Sequence, residues 1–309
     1  MIFNRTQKAA LRRWKKKQRS SKSGESKRSN HVPKSQYKMI SSEKTIIFSA
    51  AGGKERYCYW AKTLLNSVRN IGNFCGDFCV FTDRESFFAD SCAISRNHII
   101  PISFNDGYMY NHIRFLTKYI KIMEQFNWDF IIYCDSDIVC VNDISPIISF
   151  AYDMLKGKIG YVRESLNQSE SFYSSVMDLY GLEHLYQGKY GIDAGFFICD
   201  RSVFWEYMQI WEKEYNKVIN INKKLLKRNQ SVFNYLIESE KIKSLEIKGD
   251  LLAIPEYYLK RNLKLPYKER INDSNIFYHI VGISDSNVHN TMKKYYNSNK
   301  LSSNKDKKE

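Results

Sequence analysis

Four residues of strand propensity, Ile131-Ile132-Tyr133-Cys134, run straight into Asp135-Ser136-Asp137 before the chain turns apolar again at Ile138-Val139. Unpaired buried charge is costly, so an interior strand that ends in two acids needs a use for them. Alternate residues of an extended segment share a face, so Asp135 and Asp137 are expected to converge just past the strand end. Two hard oxygen ligands there suit Mg²⁺ or Mn²⁺ carrying a diphosphate. The carboxyl edge of an open α/β sheet is also where such folds bind ligands. An isolated D-x-D is more often a turn or a helix cap, so the flanking chain has to decide.

Upstream, the chain alternates. Thr45 to Ala50 reads as a buried strand, followed by the small residues Ala51-Gly52-Gly53 and a helix with Tyr57, Ala61, Leu64, Leu65 and Val68 on one face. A second strand ends in an acid at Asp83, and a third is expected near His98 to Ile102. A long helix is expected from about Tyr110 to Phe126, with Ile113, Leu116, Ile120 and Met123 on one face. Downstream the expected order is a strand to Arg163, a helix from Ser171, and a strand from Ile192 to Cys199. Helices near Val203–Ile219 and Gln230–Glu240 follow, with a last short strand at Phe277. Such alternation predicts an α/β fold with a mostly parallel sheet and helices on both faces.

Charge divides the chain unevenly. Residues 1–44 carry a net charge of +12 and residues 299–309 carry +2, which leaves 30 basic and 29 acidic residues in 45–298. The expected organisation is a basic tail over 1–44, one domain over 45–298 and a polar C-terminal tail over 299–309. A neutral body argues against a groove for specific nucleic acid. Leu11 and Trp14, set among the cations of the tail, offer peripheral contact with an anionic membrane; the other reading is a solvated segment. The tail has no apolar leader, and seven scattered cysteines, an odd number, point to a reducing, cytoplasmic setting.

Six motifs in order carry a resemblance. They are Ala50-Ala51 with Tyr57; Arg114 on its helix; Asp135-Ser136-Asp137; Asp193-Ala194-Gly195; Asn229-Gln230 through Asn234; and His279-Ile280-Val281-Gly282. Over residues 45–290 the chain resembles the GT-A fold of nucleotide-sugar glycosyltransferases, most of all the family-8 (glycogenin and galactosyltransferase) type.

The resemblance implies a metal-dependent transferase that moves a sugar from a UDP-sugar to the hydroxyl of a glycan, lipid-linked or protein acceptor, with retention. It implies Asp135, Asp137 and His279 as ligands of Mn²⁺ or Mg²⁺. Ala50 and Ala51 would leave room for the nucleobase, with Tyr57 stacked on it. Arg114, or Lys118 one turn on, would meet the diphosphate or donor sugar. Asp135, Ser136, Gly195 and Gly282 would line the nucleotide sugar. Asp193, Gln230 and Asn229 would line the reacting face, with Asp193 accepting from sugar hydroxyls.

The chain departs from the family pattern at three positions. Asp285 stands where the family has a diphosphate-binding Lys, leaving Lys293 or Lys294 to replace it; Asp193 replaces Asn; and Asn229 replaces an acid. Two rivals remain: a two-metal nucleotidyltransferase, which would use a third carboxylate where this chain has a His, and a sugar-nucleotide-binding protein that has lost its chemistry.

Overall fold

A computed structural model describes residues 42–92, 96–103, 110–167, 171–227, 229–247, 252–253, 275–280 and 285–305. Its frame is a seven-stranded sheet with β1 (Thr45–Ala50), β2 (Asp77–Thr82), β3 (Asn97–Pro101), β4 (Phe130–Cys134), β6 (Ile159–Asn167), β7 (Tyr190–Asp200) and β8 (Ser244–Glu246). They lie in the order β3-β2-β1-β4-β7-β6-β8. Only β7 opposes the others: its pairings with β4 and β6 are antiparallel, and every other neighbouring pair is parallel. A second sheet holds β5 (Ile138–Cys140), β9 (Leu252–Ala253) and β10 (Phe277–His279) in the order β5-β10-β9.

The strand sequences explain the layering. Every residue of β1 and of β4 is buried, as expected of parallel strands covered on both faces. Side chains alternate between faces. Ile46, Phe48, Ile131 and Tyr133 pack on one face with Trp211, Tyr215 and Phe233. These come from helices α4 (Arg201–Ile221) and α5 (Asn229–Glu238). Ile47, Ile132 and Cys134 pack on the other face against Ala61, Leu64 and Leu65 of α1 (Glu55–Asn70) and Ile147 and Ile148 of α2 (Ser145–Met154). Asp200 ends β7 and caps α4, accepting from Ser202 N at 2.7 Å. Helix α3 (Ser171–Leu179) lies against α5.

One expectation needs correction. The single helix over 110–126 is three short pieces: 3₁₀ turns at Tyr110–Arg114 and Lys121–Gln125 flank one α-turn at Thr117–Ile120. Leu116 is extended (φ −79°, ψ 102°), and the Glu212 carboxylate caps the new turn by accepting from Thr117 N at 3.1 Å. The apolar face survives the break, because Ile113, Leu116, Ile120 and Met123 are all buried. The last described helix is α6 (Asp285–Lys305). Most of the basic tail lies outside the described residues. No described helix is long and apolar enough to cross a membrane.

Candidate active site

The strands β1, β2 and β4 all end on one edge of the sheet, and antiparallel β7 begins there. At this edge β4 stops at Cys134, and Asp135 N donates to Gly195 O of β7 at 2.7 Å. The chain then turns, with Ile138 N donating to Asp135 O at 3.1 Å, and leaves as β5. The two acids therefore converge across a tight turn, not along the extended segment expected from the sequence.

Register supplies the third group. β10 pairs antiparallel with β5 so that His279 stands opposite Ile138, and Ile280 N donates to Asp137 O at 2.9 Å. One ligand atom each from Asp135, Asp137 and His279 lies within 4.8 Å of the others. Two carboxylate oxygens and an imidazole nitrogen are a donor set suited to Mn²⁺ or Mg²⁺, with the His favouring the softer ion.

A bulge in β7 completes this corner. The β6–β7 register jumps from Tyr161 opposite Phe197 to Val162 opposite Asp193, so Ala194, Gly195 and Phe196 have no partner in β6. The displaced backbone finds other partners. Ala194 O accepts from Arg114 Nη1, and Gly195 N donates to Asp193 Oδ1 at 2.7 Å. A Cβ on Gly195 would sit 2.7 Å from both Asp135 Oδ2 and His279 Cε1, so only glycine leaves room for the cluster. Asp193 Oδ2 lies 2.7 Å from His279 Nδ1, and His279 Nε2 lies 3.2 Å from Asp137 Oδ1.

The electrostatics follow from two partly buried acids, Asp135 and Asp137, beside one fully buried acid, Asp193. Burial pushes the Asp135 carboxyl above its ordinary value; Arg114 pulls it back and Asp137 pushes the same way as burial. Burial also works against the charged form of His279, but the Asp193 and Asp137 carboxylates outweigh it and hold the imidazole well above its usual value. Asp193 is held low: burial opposes this, and His279 with the Gly195 N–H overcomes it.

Behind the acids lies Arg114, 2 % exposed. Its guanidinium donates to Ala194 O and Asn229 Oδ1 and stands 3.4 Å from Asp135 Oδ1. It lies over the rings of Tyr133 (5.4 Å) and Trp211 (5.7 Å), while its Nε has no partner among the described residues. Asn229 thus meets Arg114 where an acid would have formed an ion pair.

The other expected site residues divide. Ala50 and Ala51 are fully buried at the end of β1, where Ala51 N donates to Phe81 O. Gly53 (φ +77°) donates to Asp83 Oδ2 at 2.9 Å. Tyr57 is partly buried, its ring 5.0 Å from that of Trp60. Lys118 is exposed with its amine over the Tyr119 ring, so Arg114 is the cation brought to Asp135. Ser136 is fully buried and its hydroxyl has no partner among the described residues. Gln230 Nε2 donates to Ile192 O at 3.1 Å, fastening α5 to β7. Gly282 and the side chain of Asp285 lie outside the described residues.

Sequence reasoning missed two partners. Tyr133 donates its hydroxyl to Asp135 Oδ1; its spacing, one strand repeat before the acid, was the available signal. Asn234 accepts from Ile192 N and donates to Ile192 O, both at 2.8 Å, pinning the start of the bulged strand. Its place at the end of the Asn229–Asn234 motif was the only hint.

No protein-family profile and no curated protein sequence matches the chain. Solved structures do. Galactosyltransferase LgtC, in complex with donor and acceptor sugar analogs, aligns at a TM-score of 0.55 with 14 % identity, over 82 % of this chain and 95 % of LgtC. A glycosyltransferase involved in glycosylation of the major capsid of PBCV-1 aligns at 0.50 with 15 % identity, over 81 % and 98 %. The glycosyltransferase GlyE of Streptococcus pneumoniae TIGR4 aligns at 0.55 with 12 % identity, over 82 % and 60 %. At such identities the likeness establishes the fold: this chain is a single α/β domain of GT-A glycosyltransferase architecture.

Proposed function

We propose that the protein transfers a sugar from a nucleotide sugar, UDP-linked, to an acceptor hydroxyl on a glycan, lipid-linked or protein acceptor, with the help of Mn²⁺ or Mg²⁺. The observation that carries this reading is the convergence of Asp135, Asp137 and His279 at the carboxyl edge of a GT-A sheet. Those three residues would hold the ion. When bound, it supplies Lewis-acid stabilisation of the charge that builds on the departing diphosphate.

The chain's own groups do the rest. In this reading the small side chains of Ala50-Ala51 at the end of β1 adjoin the nucleobase, and the partly exposed Tyr57 offers a ring to stack on. Arg114 holds Asp135 and the bulged Ala194 carbonyl in place, and its charge sits below the site that receives the diphosphate. Asp135 and Asp137 serve the ion, and both Asp193 oxygens are occupied, so none of the three is free as a nucleophile. That suits retention through attack on the face the leaving group vacates, with Gln230 on that side. Residues 1–44, outside this chemistry, are read as a basic segment for peripheral contact with anionic lipid; deletion of 1–40 should lower sedimentation with phosphatidylserine vesicles at low salt.

The test is a screen of nucleotide sugars by thermal shift and nucleotide release, with and without Mn²⁺. A ligand at a hundredfold over its Kd stabilises the folded state by about 2.7 kcal/mol. Metal-dependent stabilisation together with UDP release supports the reading. Binding without release would make the protein a sugar-nucleotide receptor, and no response to any nucleotide sugar would overturn the proposal.

A further inference from the structure

An imidazole can serve a divalent ion through Nε2 only if that nitrogen carries a lone pair aimed at the ion. That requires the ring proton to sit on Nδ1 and the ring to be held against rotation. His279 comes from a strand of three residues, so its own element does little to fix the ring. The fixing group is Asp193, from the other sheet and 86 residues away, with Oδ2 2.7 Å from His279 Nδ1. A carboxylate in this position can only accept, so the Nδ1 proton follows from its partner.

Asp193 is itself immobilised. It is 1 % exposed, it sits at the edge of the β7 bulge, and its second oxygen accepts from Gly195 N at 2.7 Å. With both oxygens engaged and almost no exposed surface, it has little to offer a sugar hydroxyl. His279 Nε2 meanwhile faces the acids, 3.2 Å from Asp137 Oδ1.

We infer that Asp193 is a positioning residue for the metal site: by accepting from Nδ1 it sets the tautomer and orientation of His279, and it does not contact the donor sugar. The inference rests on the metal-dependent reading above and changes the part the resemblance would give this position. The Gly195 amide is the buttress of the arrangement, since it fixes the carboxylate that fixes the ring. The chain Gly195 N–H, Asp193, His279 thus links the β7 bulge to the metal shell across two sheets.

The experiment is a calorimetric titration of chelator-stripped protein with Mn²⁺ alone, without nucleotide, on four proteins: wild type, Asp193→Asn, His279→Ala and the double variant. Asp193→Asn should weaken Mn²⁺ binding ~10–100-fold, the usual cost of losing such an outer partner. In the His279→Ala background the same change should add nothing, because the residue through which it acts is gone. Nucleotide release lost in Asp193→Asn should be restored in part by raising Mn²⁺.

Unchanged Mn²⁺ affinity in Asp193→Asn overturns the inference. So does an equal loss in both backgrounds, or a raised KM for the donor at saturating Mn²⁺ with metal affinity intact, which would mark a sugar contact. If wild type binds no Mn²⁺, the metal reading falls and this inference with it; if wild type binds and the variant matches it, only this inference falls. Should Asp193→Asn fail to fold, ¹⁵N-histidine spectra of wild type loaded with Cd²⁺ decide, with His279 assigned by its absence in His279→Ala. A protonated Nδ1 with Cd²⁺ on Nε2 supports the inference, and the opposite arrangement overturns it.

Discussion

The two edges of the central sheet each hold an Asp, a His and an Arg in contact, and they use them differently. At the amino edge, Asp77 opens β2, with His98 Nε2 2.8 Å from one carboxylate oxygen and Arg96 Nη2 2.9 Å from the other. Arg96 also donates to Glu43 O at 2.7 Å, and the neighbouring Arg69 donates to Phe74 O, Gly76 O and Asn97 Oδ1. One acid there is shared between two partners. At the carboxyl edge three acids, Asp135, Asp137 and Asp193, face one arginine and one histidine.

Asp77 and Asp135 are pushed in opposite directions, whereas Asp193, engaged by His279, is held low as Asp77 is. Asp77 is held below the ordinary carboxylate value, because hydrogen bonds from Arg96 and His98 overcome the opposing effect of burial. Asp135 is pushed above it, because burial dominates and Asp137 adds to it. A carboxylate pulled down is an ion already satisfied. One pushed up in a cleft is short of positive charge, as a site that takes a cation should be. Residue types alone do not separate a structural knot from a site; charge balance does.

The largest contrast should come from removing one acid at each edge. Asp137→Ala should abolish metal-stimulated nucleotide release and weaken Mn²⁺ more than ~100-fold, beyond the loss of an outer partner, while the metal-free melting temperature stays close to wild type. Asp77→Asn should leave Mn²⁺ affinity and turnover intact and lower stability instead. Calorimetry and melting curves on both proteins check this. Retained metal stimulation in Asp137→Ala would erase the distinction between the edges.

Two glycines give the next contrast. A Cβ on Gly195 would meet Asp135 Oδ2 and His279 Cε1 at 2.7 Å, whereas one on Gly76 would meet the backbone oxygens of Thr45 and Ser42 at 2.2 and 2.3 Å. Side chains yield more readily than backbone. Gly195→Ala should therefore lower Mn²⁺ affinity ~10-fold or more with a small change in melting temperature. Gly76→Ala should cost ~1–3 kcal/mol or more in urea unfolding, with the metal site unaffected in the protein that remains folded. Reversed outcomes would mean that the carboxyl edge is rigid and the amino edge adaptable.

Much of the frame was legible because β4 is a continuous apolar run, β1 is nearly one, and α1 keeps a clean helical stripe. The D-x-D was legible for the same reason: two acids at the end of such a run stand out. The helix over 110–126 was misread because its apolar period is intact; the break comes from an extended Leu116 and from Glu212, 95 residues away, neither of which leaves a periodic trace. His279 could be picked out only through its motif, since β5 and β10 are three residues each, too short for a period. The tie between Asp193 and His279 was not legible at all, because it depends on a bulge whose only sequence mark is Gly195 inside a strand. Asp77, His98 and Arg96 were not legible as a cluster, since nothing in their spacing announces that parallel pairing brings them together.

The smallest effect is also the one with a sign that can be worked out. A carboxylate with a depressed pKa in the folded state contributes stability that is present above its unfolded value, about 3.9, and is lost as pH falls through the folded value. Asp77 is of this kind. Asp77→Asn should cost about 1 kcal/mol at neutral pH, a partly exposed ion pair being worth little more. For a chain of this size that is a shift of about 2–4 °C in Tm. Asparagine does not titrate, so the gap between wild type and variant should hold down to about pH 4 and close below it. His112, buried beside Arg114 and pushed down to about 3, adds an acid sensitivity of its own. Being neutral in the fold, it loses stability from about pH 6.5 downward, but it does so equally in both proteins, so their difference isolates Asp77. Melting curves from pH 7 to 2.5 read the gap directly. A gap that stays constant into acid would show that Asp77 is held by geometry alone, and the charge-balance distinction between the two edges would fail at its simpler end.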